Sequence, residues 1–134
     1  ITAKKGELVN LINGLFQVQE LKGKKFGLAV SKNIKILQTE LKELEEAGKP
    51  SDEFMTLAQQ VNEVANADSE GAKEEVEKLE QDNQELVTSR REQMDKVAEM
   101  MEEEMEVELN VISESVLPED ISASQINSII KIIE

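Results

Sequence analysis

Carboxylates dominate the chemistry open to this chain. Glu102, Glu103, Glu104, Glu106 and Glu108 form the densest acidic run, and Glu74, Glu77, Glu80, Asp82 and Glu85 make an acidic face upstream of it. Hard divalent cations bind oxygen ligands of this kind. Yet no Asp-x-Asp-x-Asp-Gly loop is present. Glu106 and Glu108 would share one side of a strand, while Glu102 to Glu104 would turn around a helix end. A solvated surface is the preferred reading and no metal is expected. A row of carboxylates along a rod can also imitate a nucleic-acid backbone and attract a basic channel. That is the second reading for the 74–85 face.

The cationic counterpart is compact. Lys22, Lys24, Lys25, Lys32 and Lys35 lie in a stretch with no acidic residue between Leu21 and Thr39. Gly23-Lys24-Lys25 is too little for a phosphate-cradling loop of the Walker type. The absence of arginine from the segment removes bidentate phosphate or base recognition. Direct nucleic-acid binding is therefore not expected. The preferred use of this basic patch is to lie against the acidic helix, within one chain or between two.

The missing residue types exclude more. The chain has no Cys, His, Trp or Tyr, and its aromatics are Phe16, Phe26 and Phe54. Disulfides, thiolate or imidazole zinc sites and Ser-His or Cys-His nucleophiles cannot be built. No enzyme activity and no cofactor are expected. Among 134 residues there are 29 acidic and 15 basic, net charge -14. Residues 1–50 carry +3 and residues 51–134 carry -17, so the chain is bipolar. An apolar content of 39% beside 33% charged residues implies a thin core and long solvated helices, which makes an oligomer the expectation. No apolar run is long enough to span a membrane, and Ile1 to Gly6 lacks the apolar centre of a signal peptide.

Positioning these groups falls to a mainly α chain, read as a single domain over 1–134. A short opening strand and helix occupy 1–20, with Leu8, Leu11, Ile12, Leu15, Phe16 and Val18 on one side of the helix. A helix over 24–47 has the seam Phe26, Val30, Ile34, Leu37, Leu41, Leu44, and ends at a Gly48 C′ before Pro50. Ser51 caps a helix over 51–67. A break falls at 66–71. A long charged helix follows over 72–104, with Asn83 and Arg90 interrupting its seam; a buried Asn there would cost stability and fix register, and the preferred reading turns both residues to water. At Met105 the period changes to two, so Val107, Leu109 and Val111 mark a half-buried strand over 105–113, with Ile1 to Lys4 as its best internal partner. Met94, Met100, Met101 and Met105 should fill the core where helix meets strand. Ser122 and Gln125 make a capping box for a C-terminal apolar helix over 122–134. The expected architecture is an antiparallel helical hairpin or bundle between the 24–47 and 72–104 helices, with a small two-stranded β element.

Two stretches, Leu21-Lys22-Gly23-Lys24-Lys25-Phe26-Gly27-Leu28-Ala29-Val30-Ser31-Lys32-Asn33 and Val107 to Ile121, together with the order of charged helices around them, resemble a group of small, largely uncharacterised accessory proteins of tailed bacteriophages. The resemblance implies a viral source, an accessory role, and the host cytoplasm or the virion as location. It supplies no catalytic residue. The expected function is non-enzymatic protein–protein contact, with the chain itself or a phage or host protein as partner. The candidate interaction residues are Val107, Leu109, Val111, Ile126, Ile129, Ile130 and Ile133, whose apolar surface exceeds what a thin domain covers. The acidic nucleic-acid mimic, inhibiting a host polymerase, nuclease or defence protein, is the alternative. A coiled-coil assembly chaperone is third.

Overall fold

A computed structural model of the chain describes residues 1–67 and 70–134. The order of elements is β1 (Thr2–Lys4), α1 (Lys5–Val18), α2 (Lys24–Glu40), α3 (Lys42–Gly48), α4 (Asp52–Asn66), α5 (Ala72–Asp82), α6 (Gln84–Glu102), β2 (Glu104–Glu106) and α7 (Ala123–Ser128), with 3-10 turns at Glu114–Val116 and Ile130–Ile132. The protein is mainly helical, with a two-stranded antiparallel sheet. The elements sort into two compact units: residues 1–45 with 99–134, and residues 46–98.

The first unit is built around α1. Leu8, Leu11, Ile12, Leu15 and Val18 fall along one helical stripe and are buried. Phe16 sits one step beyond the edge of that stripe and is exposed, which corrects its place in the expected core. α2 covers α1 from one side with Phe26, Val30, Ile34 and Leu37, and α7 covers it from another. Leu41, Leu44, Val107, Ile112, Ile129 and Ile132 complete the core. Burying each such side chain contributes about 1.5–3 kcal/mol.

β1 pairs with β2 in the register Thr2↔Glu106, Ala3↔Met105, Lys4↔Glu104, so the internal partner read from the period change is the observed one. The strand is much shorter than 105–113. Its last rung is Val107 N–H to the Ile1 carbonyl, 2.8 Å. Beyond that, Asn110 is held by a side chain: its N–H donates to Asn33 Oδ1 at 2.7 Å, and Asn33 Nδ2 donates to the Asn110 carbonyl at 2.8 Å. Asn33 is fully buried and needs both bonds.

Three long helices of the sequence reading are broken. The 24–47 segment bends at Leu41, whose backbone leaves the helical region; Thr39 Oγ1 donates back to the Lys35 carbonyl at 3.1 Å, a contact that bends helices. The 72–104 segment breaks at Asn83, where Asn83 Nδ2 donates to the Leu79 carbonyl at 2.9 Å and competes with the backbone for it. The 122–134 segment is helical only to Ser128. A run of β-branched isoleucines holds a helix poorly, and its backbone bonds elsewhere: Ile112 N–H donates to the Ile132 carbonyl at 2.7 Å and Glu134 N–H to the Ile112 carbonyl at 3.0 Å. Its capping box is formed, with Ser122 N–H to Gln125 Oε1 at 2.9 Å and Gln125 N–H to Ser122 Oγ at 3.2 Å.

The second unit contains α4, α5 and most of α6. α4 starts at the Ser51 cap, which accepts from Phe54 N–H at 3.1 Å. The break read at 66–71 includes Asp68 and Ser69, which lie outside the described residues; Gly71 precedes α5 with a left-handed φ of 86°. α4 packs on α5, and in the first unit α2 packs on α1. The end of α3 meets α6, with Val97 Cγ2 3.8 Å from where a Gly48 Cβ would stand.

Candidate interaction surfaces

Seven apolar side chains of the strand and C-terminal segments are candidates for a contact surface, and the fold divides them. Val107 and Ile129 are buried within their own unit. Ile126, Ile133 and Leu109 are half-buried. Ile130 and Val111 remain open, at 52% and 57% exposure. Much of the apparent surplus of apolar surface is therefore core. The close fit depends on Gly14: a Cβ there would stand 2.7 Å from the Ser128 carbonyl oxygen and 2.8 Å from Ser128 Cβ. Gly14, unfavourable in a helix interior by about 1 kcal/mol, is what lets α7 reach α1. The segment is tied further by Lys131 Nζ to Glu7 Oε2 at 2.8 Å, and this ammonium lowers the Glu7 carboxyl below its usual range.

The acidic run at 102–108 partly serves the fold. Glu102 pairs with Lys4 at 2.8 Å and Glu103 with Lys5 at 2.7 Å, on either side of the β1–α1 junction. The Glu102 carboxylate raises the Lys4 ammonium above its ordinary value. Among the described residues no three carboxylates converge as a cation site requires. The methionines do not gather in a core: Met94 is exposed, and Met100, Met101 and Met105 are half-buried.

The basic patch sits where its spacing puts it. Lys24, Lys25, Lys32 and Lys35 are exposed on α2, and Lys22 is exposed just before it. Leu28 stands among them at 56% exposure. None of the five lysines closes an ion pair among the described residues.

The second unit presents the opposite charge. Glu74, Glu77, Glu80, Asp82 and Glu85 are all exposed. Beneath them the apolar seam is only partly covered. Phe54, Val61, Val64, Val76, Leu79 and Leu86 are half-buried, and among the described residues of this unit Leu57 and Val97 alone are buried apolar side chains. Arg90 is not turned to water. Its Nη1 donates to the Gly48 carbonyl at 2.8 Å and to Gln93 Oε1 at 2.9 Å, and its guanidinium lies 5.6 Å from the Phe54 ring centre. Gln93 Nε2 donates to the Ala47 carbonyl at 2.8 Å and also to that of Lys49. The end of α3 is thus capped by side chains of α6, not by a left-handed Gly48. The signal for this in the sequence was an arginine at a seam position, which is costly unless it has acceptors to reach.

Among the described residues no helix is long and apolar enough to cross a membrane. No known protein family, curated protein or solved structure matches the chain.

Proposed function

We propose that the chain is a non-enzymatic accessory protein of a tailed bacteriophage that works by protein–protein contact, as a homo-oligomer or as a component of a viral assembly. The observation that carries the contact reading is the α4–α5 pair, whose apolar side chains Phe54, Val61, Val64, Val76 and Leu79 are left half-exposed. Two packed helices form a single layer, and a single layer cannot shield its seam on both sides. A partner that covers it gains about 25 cal/mol for each Å² of apolar surface removed from water. The resemblance of Leu21–Asn33 and Val107–Ile121 supports the viral source.

Light scattering of the full chain, combined with pull-down from infected cells, tests this reading. An oligomer, or capture of a defined phage structural protein, is the expected result. A monomer that retains no phage or host protein overturns it.

The alternative, an acidic nucleic-acid mimic, is favoured by the exposure of Glu74, Glu77, Glu80, Asp82 and Glu85 without ion pairing among the described residues. It requires salt-sensitive binding to a basic host protein. Lysine at Glu74, Glu77, Glu80 and Glu85 should abolish that binding, and unchanged binding would sink it.

A further inference from the structure

Charge is sparse in three stretches of the chain. Residues 8–19 and 121–130 carry none, and residues 54–67 carry Glu63 alone, in a sequence that is 33% charged. The first and last of these cover each other, because α1 packs on α7. The middle one is α4, and its cover is incomplete. α5 packs on α4, where Leu57 is the buried side chain. Beside that side, Met55, Ala58, Asn62 and Ala65 stay exposed. Their steps are 3, 4 and 3, the spacing of a seam between two helices. At about 3.6 residues per turn, Glu53 and Glu63 fall on the far side of the helix from this row.

Two arguments select a second copy as the occupant. The first is charge. Copies with a net charge of -14 repel each other, and they do so least where an uncharged face meets its own kind. The second is that the row complements itself in one orientation. With two α4 helices antiparallel and meeting at the level of Gln60, Met55 of one copy faces Ala65 of the other, and Ala58 faces Asn62. Each layer then sets a larger side chain against a smaller one. Gln59 lies beside its counterpart on one flank, amide to amide. The half-buried Val61 lies beside its counterpart on the other. The same orientation keeps the acidic helix starts at Asp52 and Glu53 about 20 Å apart, whereas a parallel pair would set them side by side.

We propose that two copies associate as a two-fold dimer through this face of α4, antiparallel about Gln60. The contact is isologous and closes on itself. This rests on the proposed self-association and names the surface and the orientation that make it. One pair of helices about 20 Å long buries less than the ~800 Å² per partner of a standard interface, so the dimer is weak and depends on concentration.

The test is sedimentation equilibrium of the full chain up to about 1 mM. The parent should dimerise, and more tightly at about 1 M salt than at about 0.1 M. Salt screens the repulsion between acidic copies, and the face itself holds no ion pair to lose. Ala58→Arg should weaken dimerisation at least about tenfold, while Gln60→Arg, on the far side of the same helix, should not weaken it. Arginine lowers the negative charge of the chain, so any weakening comes from the face. Both positions are exposed, and thermal melts in dilute solution should match the parent. Orientation is read by cross-linking, because the chain has no cysteine of its own. When Ala58→Cys and Asn62→Cys are mixed under an oxidant, the antiparallel dimer forms the 58–62 disulfide ahead of 58–58 or 62–62. An Ala58→Arg variant that dimerises like the parent, a dimer that loosens in salt, or like-to-like disulfides ahead of the mixed one overturns the α4 contact and leaves self-association standing. A parent that stays monomeric at both salts overturns the contact and self-association together.

Discussion

α1 and α4 are helices of nearly equal length, 14 and 15 residues, with similar apolar spacing. α1 buries five large aliphatic side chains, whereas α4 buries Leu57 alone. The difference lies in what covers them. α1 has α2 against it, α7 against it and β1 leading into it, so its stripe is closed from several directions. α4 has α5. An amphipathic pattern creates the need for a cover, and a third element decides whether the need is met. The half-exposed seam of the second unit is for this reason its most informative feature. A unit that does not close its own core stands to gain from a partner.

Substitutions can break this contrast, and the largest effect belongs to the closed unit. Phe26→Ala should cost about 3–5 kcal/mol, since it empties a fully enclosed site. Leu57→Ala, in a layer open to water, should fall at the low end of the ~2–5 kcal/mol span for such truncations. Urea unfolding of both variants checks the ordering, and equal losses would remove the distinction between the units. Gly14→Ala comes next. In an open helix it would stabilise by about 1 kcal/mol; here the added methyl meets Ser128, and a loss of about 1–3 kcal/mol is expected from overpacking. The accompanying sign is faster amide exchange across 123–134.

Arg90→Ala sharpens the comparison from the other side. It removes the cap on Gly48 and the contact with Phe54, and should cost about 1 kcal/mol. Its effect should be local to the α3–α6 junction, visible as exchange at 46–50 with α1 unchanged. The smallest effect is the pH response of the Glu7–Lys131 pair. The carboxyl titrates lower in the folded chain than the ordinary 4.5. The unfolded chain therefore binds the proton first as pH falls, and the pair's contribution is present above about pH 4.5 and fades as pH drops through the lowered value. Lys131→Ala should remove this part of the acid sensitivity, as measured by thermal melts between pH 3 and 6.

Local chemistry explains which features were legible from residues alone. Ser51 and Ser122 cap helices because their hydroxyls reach the first-turn N–H groups, whatever the rest of the chain does. The β1–β2 pairing could be read because the apolar period switches at Met105 and a lone strand needs a partner. Features that depend on distant partners stayed hidden. Gly14 looks like a weak point in α1 until Ser128 is seen against it. Asn83 and Arg90 look alike on a helical seam, yet one breaks its own helix and the other caps a different one. The isoleucine run from Ile129 to Ile133 has the composition of a buried helix, but its backbone pairs with Ile112 instead. Of the candidate interaction residues, Val107 and Ile129 were drawn into the core by contacts that sequence spacing does not encode, while the lysines of α2 stayed on the surface because their helix is amphipathic by itself.

Native-state amide hydrogen exchange, followed as a function of protein concentration, tests most directly the claim that one unit closes its own core and the other needs a partner. Amides of α1 and α2 should be strongly protected at every concentration. Amides of α4 and α5 should exchange faster in dilute solution and become protected as concentration rises and copies cover the seam. If α4 and α5 are as protected as α1 at the lowest concentration, the second unit is stable without a partner and the claim is wrong.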